Sequence, residues 1–294
     1  MASPPIIQGH PTSSASIPLI SPQEFTAAAS KLRFFFEKKG FLEVHTQNRL
    51  SILAACEDPK TVATYNYAGN VWPLPQTGQM WLEYELLKNP EVPGVFCMST
   101  SYRNEENPVE GRHNLIFPMF EWELHGTMKD LTNLEAELLE FLGFGSKDSF
   151  PHKNYLDLTK QYDTKMLECE HEEKMEEDFG PVVFLENFPE YTHPFWNMKR
   201  NNDGETAKKV DVILHGFETI GSAERSCDPE QMREAFHSIE NGEYAKLLYN
   251  KFTKERVDAE LEDFFAHKFF PRSGAGMGMT RFIRALKKSN LLYT

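Results

Sequence analysis

Three groups of residues in this 294-residue chain carry side chains suited to handling phosphate. The first is Tyr102-Arg103-Asn104-Glu105, followed after a polar interval by Arg112-His113 and then Phe117. An arginine at a strand end presents a planar fork of donors that matches phosphate oxygens. An aromatic ring beyond the histidine offers a face on which a base can stack. The second group is Gly274-Ala275-Gly276-Met277-Gly278-Met279-Thr280-Arg281, where alternate glycines let a ligand approach the backbone and an arginine opens the following helix. The third is Asp211 with Glu218, one carboxylate on a strand and one past a turn at His215-Gly216. Such a pair can share a Mg2+ that also holds phosphate oxygens. Each group has a structural alternative: Arg103 paired with Glu105 and Phe117 in a core, a tight glycine turn, two surface carboxylates.

The elements that must position these groups can be read from local pattern. Ser21-Pro22-Gln23-Glu24 is a capping box with proline at the first helical position, and Phe25, Ala28, Leu32 and Phe35 follow at helical spacing, with Phe36 beside them. Gly40 suits the residue past the helix end, and Phe41 to Thr46 reads as a strand. Val95 to Glu105 and His113 to Leu124 read as two strands of a hairpin joined by the polar loop Glu106 to Arg112. Period two puts Phe117, Met119, Glu121 and Glu123 on one face; Ile116, Phe120, Trp122 and Leu124 fall on the other, expected to pack on helices. A helix is expected from Thr127 to Gly143 with the stripe Leu131, Leu134, Leu138, Phe141. Glu168 to Asp178 reads as a solvated helix face, 182–185 and 210–214 as buried strands, and Asn201 to Glu205 as a turn. Met232 to Leu261 is expected to be mostly helical, and a Gly-rich turn to precede a last helix from Met279 to Lys288. Irregular alternation with an antiparallel hairpin predicts an α/β chain of the α+β type. Its sheet should be mixed, mainly antiparallel and flanked by helices. The glycines do not match G-x-G-x-x-G, which argues against a dinucleotide fold.

Composition narrows the field. The net charge of −13 argues against a general phosphate-binding surface, although a local basic site remains open. With 23 Phe, 10 Tyr and 4 Trp the chain can build a sizeable core. No apolar run is long enough to span a bilayer. Cys56, Cys97, Cys169 and Cys227 show no C-x-x-C spacing and read as buried thiols of a reducing compartment, which predicts a cytoplasmic protein. Met1 to Pro18 is polar and lacks the layout of a signal peptide, so residues 1–20 are expected to be a flexible lead-in and 21–294 a single catalytic core.

Taken together and in this order, the groups resemble the catalytic core of class II aminoacyl-tRNA synthetases, in the asparaginyl/aspartyl subgroup. The likeness runs from about Ser21 to Leu292. Motif 1 resembles the helix to Gly40 with the strand after it, motif 2 resembles Arg103 to Phe117, and motif 3 resembles Gly274 to Arg281. The resemblance implies that Arg103 holds the α-phosphate of ATP and Arg281 the γ-phosphate. It implies that Phe117 stacks on adenine, that Glu105, Arg112 and His113 frame the nucleotide, and that Gly276 and Gly278 give it room. Asp211 and Glu218 would bind Mg2+. Thr77-Gly78-Gln79-Met80-Trp81-Leu82-Glu83 resembles the amino-acid loop of asparaginyl enzymes. Gln79 would take the α-amino group, Glu83 the side-chain amide and Arg225 the side-chain oxygen, with Glu57 and Glu121 helping to hold the ammonium. Aspartyl enzymes and the archaeal AMP-forming asparagine synthetase carry lysine where this chain has Leu82, so asparagine is favoured over aspartate.

The chain departs from the family pattern at Gln47, where motif 1 ends in proline at the dimer contact. It departs again at Ile116, where a Glu precedes the stacking Phe, and at Thr280, where an acid precedes the motif 3 arginine. About 20 residues precede the first helix, so no anticodon-reading OB barrel of on the order of 100 residues is expected before it. The resemblance therefore implies a stand-alone, ATP- and Mg2+-dependent ligase, expected to be a homodimer. It would activate asparagine, or aspartate second, for a tRNA 3′ end met without anticodon reading, or for ammonia, an amine or a protein side chain. Two alternatives stay open: an AMP-forming asparagine synthetase, and an inactive paralogue that binds nucleotide or amino acid as a regulator.

Overall fold

The structure, a computed structural model, describes residues 20–47, 50–52, 58–106, 108 and 114–293. The expected lead-in therefore lies outside the described residues, save its last residue, as do Cys56, Glu57, Arg112 and His113. In chain order the elements are α1 (Pro22–Lys38), β1 (Leu42–Glu43), β2 (Thr64–Tyr67), β3 (Asn70–Pro73), α2 (Gln79–Lys88), β4 (Gly94–Tyr102), β5 (Ile116–His125) and α3 (Met128–Leu142). There follow β6 (His152–Asn154), α4 (Tyr155–Gln161), α5 (Cys169–Phe179), β7 (Val182–Pro189), β8 (Thr206–Leu214) and β9 (Phe217–Glu224). The chain closes with α6 (Pro229–Ser238), α7 (Glu243–Phe252), α8 (Lys254–Phe265), β10 (Arg272–Gly278) and α9 (Met279–Lys288).

Eight strands form one sheet in the order β1-β4-β5-β10-β9-β8-β7-β6, and β2-β3 is a separate hairpin. Only β1 with β4 and β6 with β7, at the two edges, pair in parallel; the pairs between are antiparallel. The mixed, mainly antiparallel α+β fold expected from the sequence is the one observed. β10 occupies the centre between β5 and β9, so the C-terminal strand closes the sheet.

Local signals explain the element ends. Ser21 caps α1 with Pro22 behind it, and Gly40 takes a left-handed φ of +80° at the other end. Thr127 and Asp130 form a capping box on α3, and Gly143 closes it at φ +95°. His215 and Gly216 both have positive φ and make the two-residue turn between β8 and β9.

One face of the sheet packs on α1, α3 and α9. Phe120, Trp122 and Leu124 of β5 meet Leu32 and Phe36 of α1, Leu131 and Leu138 of α3, and Phe282 and Leu286 of α9 in one cluster. Phe36 alone lies within 5.0–5.7 Å of the rings of Trp122, Phe120, Phe41 and Phe96. Burying each such ring stabilises by about 1.5–3 kcal/mol relative to exposing it. On the other face, α4 and α5 pack on Val183, Leu185 and Ile213 of β7 and β8, and α2 lies over β4 and β5. A second cluster joins α2 to α6, α7 and α8. Between these flanks, β5, β10 and β9 stay open.

Several expectations are corrected. Regular pairing of the first strand ends at Glu43 rather than Thr46, with one further bond from Val44 N–H to the Phe96 carbonyl at 2.8 Å. The Gly-rich segment is a central strand, not a turn. Phe141 ends the α3 stripe 44 % exposed, stacked on Phe34 of α1 at 6.0 Å. Of the described cysteines, all free thiols, only Cys97 is buried; Cys169 opens α5 and Cys227 sits exposed in the connection from β9 to α6. Among the described residues no helix is long and apolar enough to cross a membrane.

Candidate active site

The open middle of the sheet carries a cleft of about 360 Å3. Arg103, Glu105, Phe117, Glu218, Gly276, Gly278 and Arg281 all line it, so members of all three sequence groups meet in one place. Arg103 follows the end of β4, where its backbone N–H donates to the Leu115 carbonyl at 2.8 Å and extends the β4–β5 ladder. Its guanidinium lies 5.4 Å from the centre of the Phe117 ring, and its Nε is buried with no hydrogen-bond partner among the described residues. A donor left so in a buried place is ready for an anion. Phe117 stands beside Gly278: a Cβ built there would lie 3.9 Å from Phe117 Cε2. Arg281, in the first turn of α9, donates from Nη1 to the Glu218 carbonyl at 2.6 Å and lies 3.8 Å from its carboxylate. Thr280, where the family carries an acid, accepts from Asn114 Nδ2 at 3.3 Å, and Ile116 is 40 % exposed.

Behind Met119 and Gly276 lies a second, buried set. A Cβ on Gly276 would come 3.0 Å from Met119 Cε and 3.5 Å from Glu121 Oε1, so the glycine is the passage between the two regions. Glu121 accepts from Thr77 Oγ1, from Ser99 Oγ and, at 2.8 Å, from the Gly78 N–H. Burial pushes its carboxyl up while those donors pull it down. Gln79, at the start of α2, donates to the Ala275 carbonyl at 2.6 Å and accepts from Arg225 Nη2. Arg225 also grips Glu123 through two bonds of 3.1 Å. Glu83 accepts from Arg272 Nε at 3.0 Å, Arg272 Nη2 at 2.7 Å and Asn197 Nδ2 at 2.7 Å. Glu83, Glu123, Arg225 and Arg272 are at most 1 % exposed, and two guanidiniums balance two carboxylates. Burial raises the Glu123 carboxyl, Arg225 works against that, and Glu83 adds to it.

Gln79, Glu83, Glu121 and Arg225 thus come together as a unit, bonded to one another or to neighbours, and none of them lines the open cleft. Glu123, Arg272 and Asn197 were not among the expected site residues. The alternation that placed Glu121 on the site face also places Glu123 there, and Arg272 shares its strand face with Gly274 and Gly276; period two was the signal. Asn197 lies in an irregular segment between β7 and β8 and had no such signal.

The carboxylate pair shares a second cavity next to the cleft. Glu218 lines the cleft and also a neighbouring cavity of about 260 Å3, whereas Asp211 lines only the latter. Lys209 Nζ donates to Asp211 Oδ2 at 2.6 Å and stands 3.6 Å from the centre of the Phe188 ring. Asp211 Oδ1 is buried without a hydrogen-bond partner among the described residues. Burial raises the Asp211 carboxyl, Lys209 opposes this, and Glu218 adds to it. Glu172 of α5, from the stretch read as a solvated face, accepts from the Glu218 N–H at 2.9 Å. No group of three or more metal-ligating side chains occurs among the described residues. Mg2+ is commonly held by one or two carboxylates together with substrate phosphates. The open Asp211 oxygen and the Glu218 carboxylate fit that mode of binding, not an all-protein cage.

Comparison with known proteins places the chain. Residues 23–292 match the model of the family described as tRNA synthetases class II (D, K and N), and the chain belongs to that family. It is 23 % identical over 281 residues to an aspartate–tRNA(Asp) ligase of Thermoplasma volcanium and 25 % identical over 281 residues to an asparagine–tRNA ligase of Desulforamulus reducens. Each alignment covers 85 % of this chain and 61 % of the relative, so the chain spans about three fifths of the length of these relatives. The fold matches asparaginyl-tRNA synthetase from Pyrococcus horikoshii complexed with asparaginyl-adenylate, with TM-score 0.73 and 19 % identity, over 92 % of this chain and 65 % of that one.

Proposed function

We propose that this chain activates an amino acid with ATP, asparagine in preference to aspartate, and passes the aminoacyl group to an acceptor. The observation that carries this reading is the convergence of Arg103, Phe117, Glu218 and Arg281 on one cleft that adjoins, through Gly276, the buried Gln79–Arg225–Glu123 set. In the reaction an oxygen of the amino-acid carboxylate attacks the α-phosphorus. The bond from that phosphorus to the bridging oxygen breaks, and pyrophosphate leaves. No protein nucleophile is needed; positioning and charge neutralisation supply the rate. Arg103 would hold the α-phosphate, Phe117 the adenine, and Arg281 the far end of the triphosphate. Glu105 would frame the nucleotide, as would Arg112 and His113 of the segment outside the described residues. A Mg2+ bound there would neutralise phosphate charge, held by Glu218 and the open oxygen of Asp211.

The preference for asparagine rests on charge balance. The side-chain pocket already matches two carboxylates with two guanidiniums, at most 1 % exposed. A free β-carboxylate would add an uncompensated buried charge, and an amide adds none. Gln79, and Glu57 in the segment outside the described residues, would take the α-ammonium together with Glu121. The acceptor is proposed to be a tRNA 3′ end or another amine or hydroxyl nucleophile. The working unit is proposed to be a homodimer through the exposed Phe34, Leu42 and Phe141.

Amino-acid-dependent ATP–pyrophosphate exchange tests the reading. Exchange is expected with asparagine, more weakly with aspartate, and at least ~10²-fold lower in Arg281→Ala with an unchanged melting temperature. No exchange with either amino acid from folded protein in Mg2+ overturns it, and survival of exchange in Arg281→Ala removes that residue from the site. Exchange with aspartate alone overturns the preference.

A further inference from the structure

The ammonium of Lys209 stands where the two cavities meet. Lys209 lines both of them, as Glu218 does, and its stem is largely buried with the side chain 22 % exposed. The head group is held from two sides, by Asp211 Oδ2 at 2.6 Å and by the face of Phe188 at 3.6 Å. It occupies one oxygen of the carboxylate that would otherwise offer both to a metal ion. The other oxygen, Oδ1, is the one left without a hydrogen bond. Phosphate would approach from the cleft side, where Arg281 and Arg103 also stand.

We propose that Lys209 is a resident cation at the phosphate end of this cleft, which competes with a divalent ion for Asp211 and itself contacts the nucleotide's phosphate oxygens. The inference rests on the nucleotide reading of the cleft for its second half only. Mg2+ demands near-octahedral oxygen ligands at about 2.0–2.1 Å. An ammonium already bonded to Asp211 Oδ2 repels an ion placed on the same carboxylate, and in a low-dielectric site that repulsion is weakly screened. Lysine suits the task because its head is a compact charge on a flexible four-carbon stem with three donors. It can stay on Asp211 while one N–H turns toward phosphate, or leave Asp211 when a metal arrives with the nucleotide. The chain thereby carries part of the positive charge that the reaction needs as a side chain.

Two binding measurements decide it, neither of them an activity. Mn2+ binding without nucleotide is followed by electron paramagnetic resonance in the wild type, Lys209→Met, Lys209→Arg and the double variant Lys209→Met/Asp211→Asn. Lys209→Met is expected to bind Mn2+ about tenfold more tightly or better. Lys209→Arg should stay near the wild type because it keeps the charge, and the double variant should lose the gain. Equal Mn2+ affinity in the wild type and Lys209→Met overturns the competition. In the second measurement, ATP is titrated in EDTA and again in Mg2+. Lys209→Met is expected to bind metal-free ATP at least about tenfold more weakly, with the gap narrowing in Mg2+; equal metal-free affinity overturns the phosphate contact. Lys209→Gln replaces Lys209→Met if the latter does not fold. A wild type that binds no ATP under either condition overturns the nucleotide reading of the cleft and the phosphate contact with it, while the Mn2+ comparison still decides the competition.

Discussion

At the scale of single residues, Glu135 of α3 is the clearest case of a side chain whose charge state is set by its surroundings. It is fully buried against the reverse side of the sheet and accepts from Ser222 Oγ on β9, and its Oε2 has no hydrogen-bond partner among the described residues. Burial pushes its carboxyl up to about 8, with the Ser222 bond working against that and the charges of Asp211 and Glu186 adding to it. The folded protein therefore keeps a proton that the unfolded chain gives up above its ordinary value of about 4.3. The stability this proton contributes is fully present below that value and is lost as the pH climbs to about 8. The limiting slope is about 1.4 kcal/mol per pH unit. Glu135→Gln should match the wild type near pH 5 and exceed it near pH 8. Urea midpoints at the two pH values check this, and parallel profiles for the two proteins would show that Glu135 is not the group that titrates.

At the scale of elements, β10 does the most. Its three alternate glycines lie in the middle of the sheet with β5 on one side and β9 on the other. At Gly274 the reason is the neighbouring strand's acid: a Cβ there would fall 1.7 Å from Glu123 Oε2 and 2.7 Å from the Trp122 carbonyl. A side chain there would push Glu123 off Arg225, whose two bonds to it organise the proposed amino-acid pocket. Gly274→Ala is expected to cost about 1–3 kcal/mol through overpacking and to lower asparagine affinity. Chemical denaturation and asparagine titration measure the two effects, and a variant within 0.5 kcal/mol of the wild type, on the scale of ordinary surface changes, would show that β5 can yield. Helix α2 has the complementary part. Its first turn brings Gln79, and its second Glu83, onto the site face, while Leu82 and Leu86 pack with Val95 and Cys97 of β4.

At the scale of the whole molecule, the site is sewn together from both ends of the chain, and one flank is left apolar. Phe34 at 48 %, Leu42 at 53 % and Phe141 at 44 % exposure lie on or beside α1, the motif 1 region of the resemblance. The stacked Phe34 and Phe141 rings are an arrangement that a second copy would cover well. Light scattering behind size exclusion is expected to give twice the monomer mass for the wild type. Phe34→Glu/Phe141→Glu is expected to shift the protein to monomer with its helical circular dichroism intact. A wild type that elutes as monomer at tens of micromolar would rule out this face as a dimer contact.

Much of this molecule is written locally. The caps of α1 and α3, the turn at His215-Gly216 and the two faces of β5 follow from propensity, capping and period two, each of which acts within a few residues. The order of the three groups suited to phosphate, and so the family, was likewise legible along the chain. What the chain could not reveal locally are contacts between distant segments. Arg272 reaches Glu83 across 189 positions and Asn197 reaches it across 114, and together they make Glu83 one member of a buried, charge-balanced set. The glycines that read as a turn are a central strand because the segment pairs with β5 on one side and β9 on the other, and at Gly274 the Glu123 side chain takes the space a Cβ would fill. Asp211 stands beside Glu218 in the neighbouring cavity, and Lys209, bonded to one of its oxygens, is the partner that local pattern did not reveal. Sequence alone determined which residues could do the chemistry, because type and order are properties of the chain. Tertiary structure decided which of them share one desolvated space, because burial and charge pairing exist only once the strands are side by side.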